Sequence, residues 1–461
     1  MNQENQNPTS AKRASFTGRI GFVLAAAGSA VRLGNIWRFP YLAAKYGGGI
    51  FLLVYIILSL TFGFSLMVAE IAIGRKTKLS PLSAFKSLHP RFAFLGYLAA
   101  AIPVIIMPYY SVIGGWVMKY TFSFLTGKGS EMAQGTPYFL SFVSQNVEPL
   151  VWFFLFIGIT ALIVLCGVQK GVEKVSKLMM PVLLVLMVFI VAYTLFTTKG
   201  AWDGVLYYLT PDLSKFSIMT VVAAMGQLFY SMSLAMGIMI TYGSYMKKEI
   251  QIPRAAHQIE IFDTVIALLA GLMIVPACFA FSNGDPAALG QGPSLMFGVL
   301  PQIFEKMPGG SVIGFAFFVT VLLAALTSSI SLMETIVSTI IDKFKLDRKL
   351  CCVLVLGFSL LLGIPSSLGY SAWSGVRILG MQLLDFFDFL SNSIMMPICA
   401  LITCIFLGFF LKTGAVTEEL ECSGPFRQKK LFDVMIRFVA PVFLLAILLS
   451  SVLSAFGVLK I

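Results

Sequence analysis

Charged residues are scarce in this sequence: only 12% of its 461 residues are Asp, Glu, Lys or Arg, whereas 58% are hydrophobic. A soluble chain of this length needs a far more charged surface, so the composition excludes an ordinary soluble protein. The apolar residues form long runs, and most of these runs are long enough to cross a bilayer. The sequence therefore predicts an all-α protein with many membrane-spanning helices.

Clusters of metal-binding or catalytic residues are also missing. The two histidines, His89 and His257, lie in polar stretches read as loops, and the seven cysteines form no CxxC pair. This pattern excludes a disulfide framework and makes a zinc site unexpected. No nucleophile–base pair or phosphate-binding loop is present, so we do not expect an enzyme. The net charge of +12 is spread over short loops, which indicates topology signals and not nucleic-acid binding.

Eleven apolar runs, numbered here as spans 1 to 11, are predicted to cross the membrane. Their approximate limits are 18–43, 49–74, 92–125, 150–167, 174–196, 217–246, 260–282, 310–341, 350–370, 381–411 and 431–458. Lysine and arginine concentrate in the N-terminal tail and the even-numbered connections, which predicts a cytoplasmic N-terminus and an outside C-terminus. Residues 1–17 lack a signal-peptide pattern and are expected to form a cytoplasmic tail. The stretch 291–306 is too short to span and predicts a helix in an outer loop.

Spans 1 and 6 are both interrupted near their middles, by GSAVRLGN at 28–35 and by SMSLAMG at 231–237. The two spans lie five apart, and repeats with an odd number of spans insert with opposite topology. We therefore expect a first repeat at 18–196 and an inverted second repeat at 217–411, followed by span 11 at 431–458. Paired interruptions indicate a transporter with its site at the bilayer midplane. A glycine-kinked packing helix is the plainer interpretation of either interruption alone.

A broken membrane helix leaves backbone groups unpaired, and these are tolerated where they bind a ligand or line a wet cavity. Carbonyl oxygens at a break suit a hard cation such as Na+, and the start of a half-helix suits a carboxylate. Polar residues recur in other spans, at Tyr110, Asp263, Thr327 and Ser328. Hydroxyl groups suit a hard cation, although many only link helices. Because a buried Asp263 could also titrate, proton coupling stays open.

The stretch RIGFVLAAAGSAVRLGNIWRFPYLAAKYGGGIF resembles the first span of the neurotransmitter:sodium symporter family. GQLFYSMSLAMGIMITYGSY resembles its sixth span and ALTSSIS its eighth, and the likeness runs from about residue 13 to residue 458. The chain is similar to the bacterial branch of this family, whose members have eleven spans. The resemblance implies a five-plus-five inverted-repeat, leucine-transporter-like fold with spans 1 and 6 unwound. It also implies Na+-coupled symport by alternating access, in a bacterial inner membrane.

The resemblance implies two sodium sites. The second site would consist of Gly28, Val31, Ala324, Thr327 and Ser328. The first would consist of Ala30, Asn35, Ser231 and Asp263. Many relatives need chloride beside the first sodium, and Tyr55, Gln227 and Ser231 match that pattern. Since Asp263 can supply the negative charge, we expect no chloride requirement.

The resemblance also implies a substrate site and its gates. Leu33, Gly34 and Tyr110 would hold a substrate carboxylate, and the side-chain pocket would be lined by Ile106, Tyr230, Ser233, Met236, Ser328 and Leu332. Arg38 and Asp388 would form an outer gate, and an inner gate would consist of Arg13, Asp342 and Tyr245. Span 5 would unwind between Gly171 and Pro181 to admit water to the inner sodium site.

Arg32 departs from the family pattern, which has glycine here in amino-acid carriers and aspartate in monoamine carriers. An arginine at the centre of a span costs about 2.5–3.5 kcal/mol on insertion scales. One hypothesis is that it forms a bidentate pair with an anionic group of an acidic amino acid, a sulfonate or an organic acid. In the alternative, Arg32 pairs internally with Asp263 or faces water, and the substrate is a neutral amino acid. A third possibility is that Arg32 replaces the first sodium ion.

An ion channel or a membrane sensor on the same scaffold is the alternative from another class. A channel needs a continuous pore, whereas paired gates around a midplane site favour a carrier. A sensor usually carries an added soluble domain, and no connection here is long enough for one. The expected partners are a small carboxylate and the lipid bilayer, without nucleic acid, and the sequence leaves homo-oligomer formation open.

Overall fold

The structure is a computed structural model that describes residues 13–282 and 292–455. Within these residues the chain is helical, and the only β pairing consists of two isolated bridges, Gly48 with Pro211 and Ile378 with Met381. The predicted all-α class is confirmed. Residues 1–12 of the predicted tail, residue 291 of the predicted outer-loop helix and residues 456–458 of span 11 lie outside the described residues.

Nine helices of the described chain are long and apolar enough to cross a membrane, and a helix pair bent by 56° in span 1 makes ten. Span 6 consists of two shorter helices, so every one of the eleven predicted spans is helical. In order, the spans are Arg19–Ala30 with Leu33–Lys45, Gly49–Thr77, Pro90–Leu125, Glu148–Leu165, Val168–Thr197, Ile218–Ser231 with Ile238–Ser244, Ile252–Phe281, Gly310–Phe344, Arg348–Leu368, Leu383–Phe410 and Lys429–Ala455.

Short helices fill the connections. They are Pro81–Leu88, Gly129–Met132, Thr136–Val143, Ala201–Leu209, Leu300–Lys306 and Thr413–Glu421. The stretch predicted to form the outer-loop helix is helical from Ser294 onward, first as a π-helix and then as an α-helix. Span 7 begins at Ile252 and not near residue 260, because the helix already includes the polar residues that precede the apolar run. The interpretation of His257 as a loop residue is therefore wrong.

Burial separates central spans from peripheral ones. In the most apolar window of each helix, 67% of span 8 is buried inside the protein, against 28% of span 5 and 17% of span 11. Span 8 packs on spans 1 and 3, and span 7 packs on both halves of span 1. The two broken helices therefore lie inside a shell of continuous helices, where their open backbone is kept away from lipid.

The two breaks differ in backbone conformation. In span 1, Val31 and Arg32 are extended between the half-helices. In span 6, Ser233, Ala235 and Gly237 have positive φ angles of 56°, 62° and 73°. Positive φ is costly for residues other than glycine, so neighbouring groups must stabilise this turn.

Two contacts stabilise the turn in span 6. The backbone N–H of Ala235 donates to the buried carboxylate of Glu70 at 2.6 Å. The Ser233 hydroxyl donates to the Ser29 carbonyl oxygen at 2.8 Å. Spans 1 and 2 thus hold the broken part of span 6 in place.

The second half-helix of span 6, Ile238–Ser244, packs closely on span 2 at Gly74. A methyl group at this position would overlap the carbonyl oxygen of Ile240, whereas Gly357 in span 9 has open space around it. We predict that Gly74→Ala destabilises the protein by about 1–3 kcal/mol, as overpacking does. Gly357→Ala should unfold at or above the wild-type temperature, because alanine favours a helix. Thermal unfolding in detergent measures both, and equal midpoints for the two variants would contradict the packing argument.

Candidate functional site

An excess of oxygen acceptors surrounds Ser328, where span 8 faces the break of span 1. The Ser328 hydroxyl lies 3.0 Å from the Val31 carbonyl oxygen, 3.3 Å from that of Ser29 and 3.4 Å from that of Gly28. The Ser29 carbonyl oxygen also accepts from Ser233 and Arg32, whereas the single Ser328 proton cannot satisfy the carbonyl oxygens of Gly28 and Val31 at once. This cluster of oxygens therefore has the character of a hard-cation site.

The remaining residues predicted for the second sodium site lie on the same helix. Thr327 is one residue from Ser328, and its hydroxyl lies 3.1 Å from the Ala324 carbonyl oxygen. A methyl group at Gly28 would lie 3.1 Å from Cβ of Thr327, so spans 1 and 8 are tightly apposed here. The structure brings Gly28, Val31, Thr327 and Ser328 together, and Ala324 lies beside Thr327.

A second polar cluster surrounds Asp263, which is fully buried. Its carboxylate accepts hydrogen bonds from the Asn35 amide at 2.8 Å and from the Ser231 hydroxyl at 2.8 Å. The Tyr55 hydroxyl donates to its other oxygen at 3.2 Å. Gln227 does not join this cluster, because its amide donates to the Gly34 carbonyl oxygen at 3.2 Å.

Three of the four residues predicted for the first sodium site therefore meet. Ala30, the fourth, is the last residue of the first half-helix of span 1. The Asn35 side-chain oxygen also lies 3.1 Å from the Ser231 hydroxyl. A buried carboxylate surrounded by amide and hydroxyl oxygens suits a monovalent hard cation. The described residues contain no cluster of three or more His, Cys, Asp or Glu side chains that fits a metal ion.

The predicted substrate residues lie around the same breaks. The Tyr110 hydroxyl is buried without a hydrogen-bond partner in the described chain. It faces the backbone N–H of Leu33, the first residue of the second half-helix, and the hydroxyl of Ser328. The Tyr230 ring packs so closely on Gly34 that a methyl group there would overlap it. The other predicted pocket residues, Ile106, Ser233, Met236 and Leu332, are all buried.

Arg32 lies between these groups with only 1% of its surface exposed. Its Nε donates to the Ser29 carbonyl oxygen at 3.2 Å, and its Nη2 lies 2.7 Å from the Met236 sulfur, a weak acceptor. The centre of the Tyr230 ring is 6.0 Å from its Cζ. No ion pair of the described chain includes Arg32, and the suggested internal pair with Asp263 is not formed.

The residues predicted for the inner gate are in contact. Arg13 forms an ion pair with Asp342 at 2.6 Å, and its Cζ lies 5.1 Å from the centre of the Tyr245 ring. The Tyr245 hydroxyl donates to Glu334 at 2.8 Å. Arg348, from the start of span 9, forms an ion pair with the same Glu334. These contacts close this end of the bundle.

The residues predicted for the outer gate are not paired. Arg38 and Asp388 both line a cavity of about 180 Å³, and no ion pair joins them. The Asp388 carboxylate accepts a hydrogen bond from Asn392 at 2.6 Å, and Cζ of Arg38 lies 5.8 Å from the centre of the Tyr230 ring. The two ends of the bundle are therefore in different states.

Span 5 is helical along the segment predicted to unwind. A π-helix runs over Val168–Glu173 and includes Gly171, and an α-helix continues over Lys174–Thr197 through Pro181. In this conformation the segment is not unwound, so unwinding stays a prediction for another conformation. The wide π turn marks the weaker part of this helix.

Three charged residues of this region were not predicted from the sequence. Glu70 holds the turn of span 6, and Glu334 with Arg348 supports Tyr245. Glu70 and Glu334 each stand within an apolar run, which is the signal that indicates an internal function. Their partners are distant in the sequence, so no local pattern names them.

The broken spans, their cation-type oxygen clusters and the differently closed ends define a polytopic membrane transporter. The sequence matches the model of the sodium:neurotransmitter symporter family over residues 13–133 and 143–458. The chain belongs to this family, whose members are sodium-coupled transporters and not enzymes.

Individual relatives agree. The chain is 35% identical to an uncharacterized sodium-dependent transporter, YhdH, of Bacillus subtilis (strain 168), over 96% of this chain and 98% of the relative. It is 27% identical to the sodium- and chloride-dependent GABA transporter 2 of Rattus norvegicus, over 86% and 72% of the two chains. Its fold resembles that of MhsT crystallised with L-phenylalanine, with a TM-score of 0.84, 36% identity, and coverage of 95% of this chain and 100% of MhsT.

The oxygen cluster at Ser328 generates a prediction about Na+ binding. Ser328→Ala removes one oxygen ligand from the cluster. We expect roughly tenfold weaker Na+ binding or more, from the usual contribution of an interaction with a charged group. Binding of radiolabelled Na+ to the purified protein measures the change.

Ser329→Ala is the matched control for this prediction. The Ser329 hydroxyl lies 3.1 Å from that of Thr160, in a separate contact within the protein. Its removal should leave Na+ binding close to the wild-type value. Equal losses in both variants would show that the cluster at Ser328 is a packing contact only.

Proposed function

We propose that this protein is a symporter that carries a small anionic carboxylate together with two Na+ ions, and that Arg32 recognises the negative charge of the substrate. The single observation that carries the proposal is the buried Arg32 guanidinium, which has no carboxylate partner among the described residues. A buried charge needs a counter-ion, because its desolvation is otherwise uncompensated. In this proposal the substrate is that counter-ion.

The Tyr110 hydroxyl and the start of the second half-helix support a carboxylate at the site. The hydroxyl is buried, has no hydrogen-bond partner in the described part of the chain, and faces the N–H group of Leu33. Backbone N–H groups at a helix start favour negative charge. One carboxylate would bind there, and a second anionic group or the same one would reach Arg32 through a bidentate contact.

The balance of charges also favours an anion. Asp263 offsets one Na+, which leaves Arg32 and the second Na+ as two positive charges at the same depth. A zwitterionic amino acid contributes no net charge, so two positive charges would stay in a low-dielectric site. An acidic amino acid, a sulfonate or an organic acid lowers this excess.

The neutral amino acid remains the second candidate, because MhsT, at 36% identity, was crystallised with L-phenylalanine. In that case Arg32 would face water in the cavity between Arg38 and the site. The proposal of a Na+-coupled symporter, for either substrate, also includes its topology. It places the two repeats at 18–196 and 217–411, in a bacterial inner membrane, with a cytoplasmic N-terminus and an outside C-terminus. The two broken spans and the closure at Arg13 support it.

Uptake into proteoliposomes tests the substrate assignment. The panel holds neutral, acidic and sulfonated amino acids and simple organic acids, each with and without an inward Na+ gradient. We predict Na+-driven uptake of an anionic solute by the wild type and a loss of at least tenfold in Arg32→Gly, because charge-assisted hydrogen bonds contribute about 1.5–3 kcal/mol. Arg32→Lys keeps the positive charge but lacks the planar guanidinium that can bind two oxygens at once, so it should retain intermediate uptake.

The outcomes separate the two candidates. Uptake of neutral amino acids by the wild type, unchanged in Arg32→Gly, would refute the anionic substrate and leave the symporter intact. Absence of Na+-driven uptake for every solute, together with a Na+-dependent current that never reverses with a solute gradient, would favour a channel.

The Asp263 cluster generates a prediction about chloride. The hydroxyls of Tyr55 and Ser231 already donate to a fixed carboxylate, which supports chloride-independent Na+ binding. Asp263→Asn keeps a ligand oxygen but removes the charge. We predict that this variant binds Na+ well only when chloride is present, whereas the wild type binds equally in chloride and gluconate.

Glu260→Gln is the control for this test. Glu260 is also buried in span 7, but it bonds to His257 and Ser59 and not to the cluster. The control should bind Na+ equally in chloride and gluconate. A chloride effect on the wild type would disprove the role of Asp263 as a substitute for the anion.

A further inference from the structure

A cavity of about 400 Å³ opens at the end of the bundle that is predicted to face the cytoplasm. The short helix Pro81–Leu88 forms one wall, and spans 3 and 8 form the others. Its polar lining consists of two lysines, two serines, a tyrosine and an aspartate: Ser83, Lys86, Ser87, Tyr97, Asp342 and Lys343. The cavity lies outside the substrate and sodium clusters.

The positive charge of this cavity is not balanced within the described chain. Lys86 forms no ion pair, and the Lys343 ammonium lies 3.4 Å from the Tyr97 hydroxyl, at the limit of a hydrogen bond. Asp342 is the one acid in the lining, and its carboxylate is bound to Arg13 at 2.6 Å and to the Ser80 backbone N–H at 2.6 Å. Two ammonium groups are therefore available to an anion.

Large exposed aromatic side chains lie close in the sequence to the cavity-lining residues of spans 3 and 8, and we call them the apolar edge. Phe94 and Tyr97 lie nearly one turn apart at the start of span 3 and are 53% and 56% exposed. Phe344, which follows Lys343 at the end of span 8, is 64% exposed. Large exposed side chains at the ends of membrane spans are typical of the boundary between headgroups and acyl chains. The polar lining and apolar edge together match an amphiphile with a negative head.

We propose that this cavity binds the phosphate headgroup of an anionic phospholipid, with the acyl chains lying along Phe94, Tyr97 and Phe344. Lys86 and Lys343 would neutralise the phosphate, and the hydroxyl of Ser83 would donate to one of its oxygens. The Ser87 hydroxyl already donates to the Ala84 carbonyl oxygen at 2.8 Å. Basic pockets between spans on the cytoplasmic side recognise anionic headgroups in this way. Because Asp342 lines the same cavity, the lipid would lie directly beside the Arg13–Asp342 ion pair.

Native mass spectrometry of the full chain in a neutral detergent tests this site. Phosphatidylglycerol and phosphatidylcholine are titrated separately, and the bound lipids per protein are counted. We expect the wild type to retain phosphatidylglycerol in preference to phosphatidylcholine. The double variant Lys86→Gln/Lys343→Gln should bind phosphatidylglycerol roughly 30-fold more weakly, from the usual contribution of two lysines near an anionic surface.

Two further variants make the comparison specific. Lys345→Gln/Lys349→Gln removes the same charge from exposed positions on the same side, outside the cavity lining, and should retain the lipid. Lys86→Arg/Lys343→Arg keeps both charges and should also retain it. If the double glutamine variant fails to fold, as judged by its elution profile, the single variants Lys86→Gln and Lys343→Gln each carry the test with a smaller loss.

Three outcomes would overturn the proposal. Equal retention of phosphatidylglycerol by the wild type and the cavity variants would show that the lysines are not the site. Equal loss in the Lys345→Gln/Lys349→Gln control would show a general effect of surface charge. Displacement of phosphatidylglycerol by an equal concentration of inorganic phosphate would assign the cavity to a free phosphate.

Discussion

Open backbone inside the membrane is the constraint on which the rest of this structure depends. Two of its innermost spans stop being helical near their middles, and each unpaired N–H or carbonyl group in a lipid-like interior costs several kcal/mol. Val31 and Arg32 are extended, and Ser233 and Ala235 have positive φ angles. Much of the surrounding polar structure serves these groups, from the hydroxyls of span 8 to the carboxylate of Glu70. The broken segments must be kept away from lipid, and the continuous helices that surround them do this.

Two opposite charges lie near the break in span 1 without pairing. Asp263 is held by the amide of Asn35 and by two hydroxyls, so its oxygens are already directed to neighbours. Arg32 instead reaches the Ser29 carbonyl oxygen and the Met236 sulfur. A direct pair would neutralise both charges and leave neither for an ion or a substrate. In the proposed function, the observed separation would leave a negative group for Na+ and a positive group for an anionic substrate.

The sequence was sufficient to predict the spans and the position of much of the candidate site, because both follow from local patterns of residues. Long apolar runs predict membrane helices, and the paired interruptions predict where their backbone opens. The start of span 7 was missed, because polar residues such as His257 continue a helix that hydropathy alone ends too early. The pair of Glu334 with Arg348 was missed for a different reason, since it depends on how two helices pack and not on any periodicity. Whether Arg32 and Asp263 pair likewise depends on how the helices pack, so the sequence alone could not predict that they do not.

Tyr230 lies next to both Arg38, which lines the cavity of the outer-gate residues, and Arg32 of the candidate site. One end is closed by the Arg13–Asp342 ion pair, while Arg38 and Asp388 line an open cavity at the other. The Tyr230 ring lies between this cavity and the buried site, 5.8 Å from Cζ of Arg38 and 6.0 Å from Cζ of Arg32. In the proposed mechanism, an anion in the cavity would be attracted by both arginines, whose Cζ atoms lie within 6.0 Å of this ring. Because the Tyr230 ring packs directly on Gly34, a change of its rotamer would alter what separates the cavity from the candidate site.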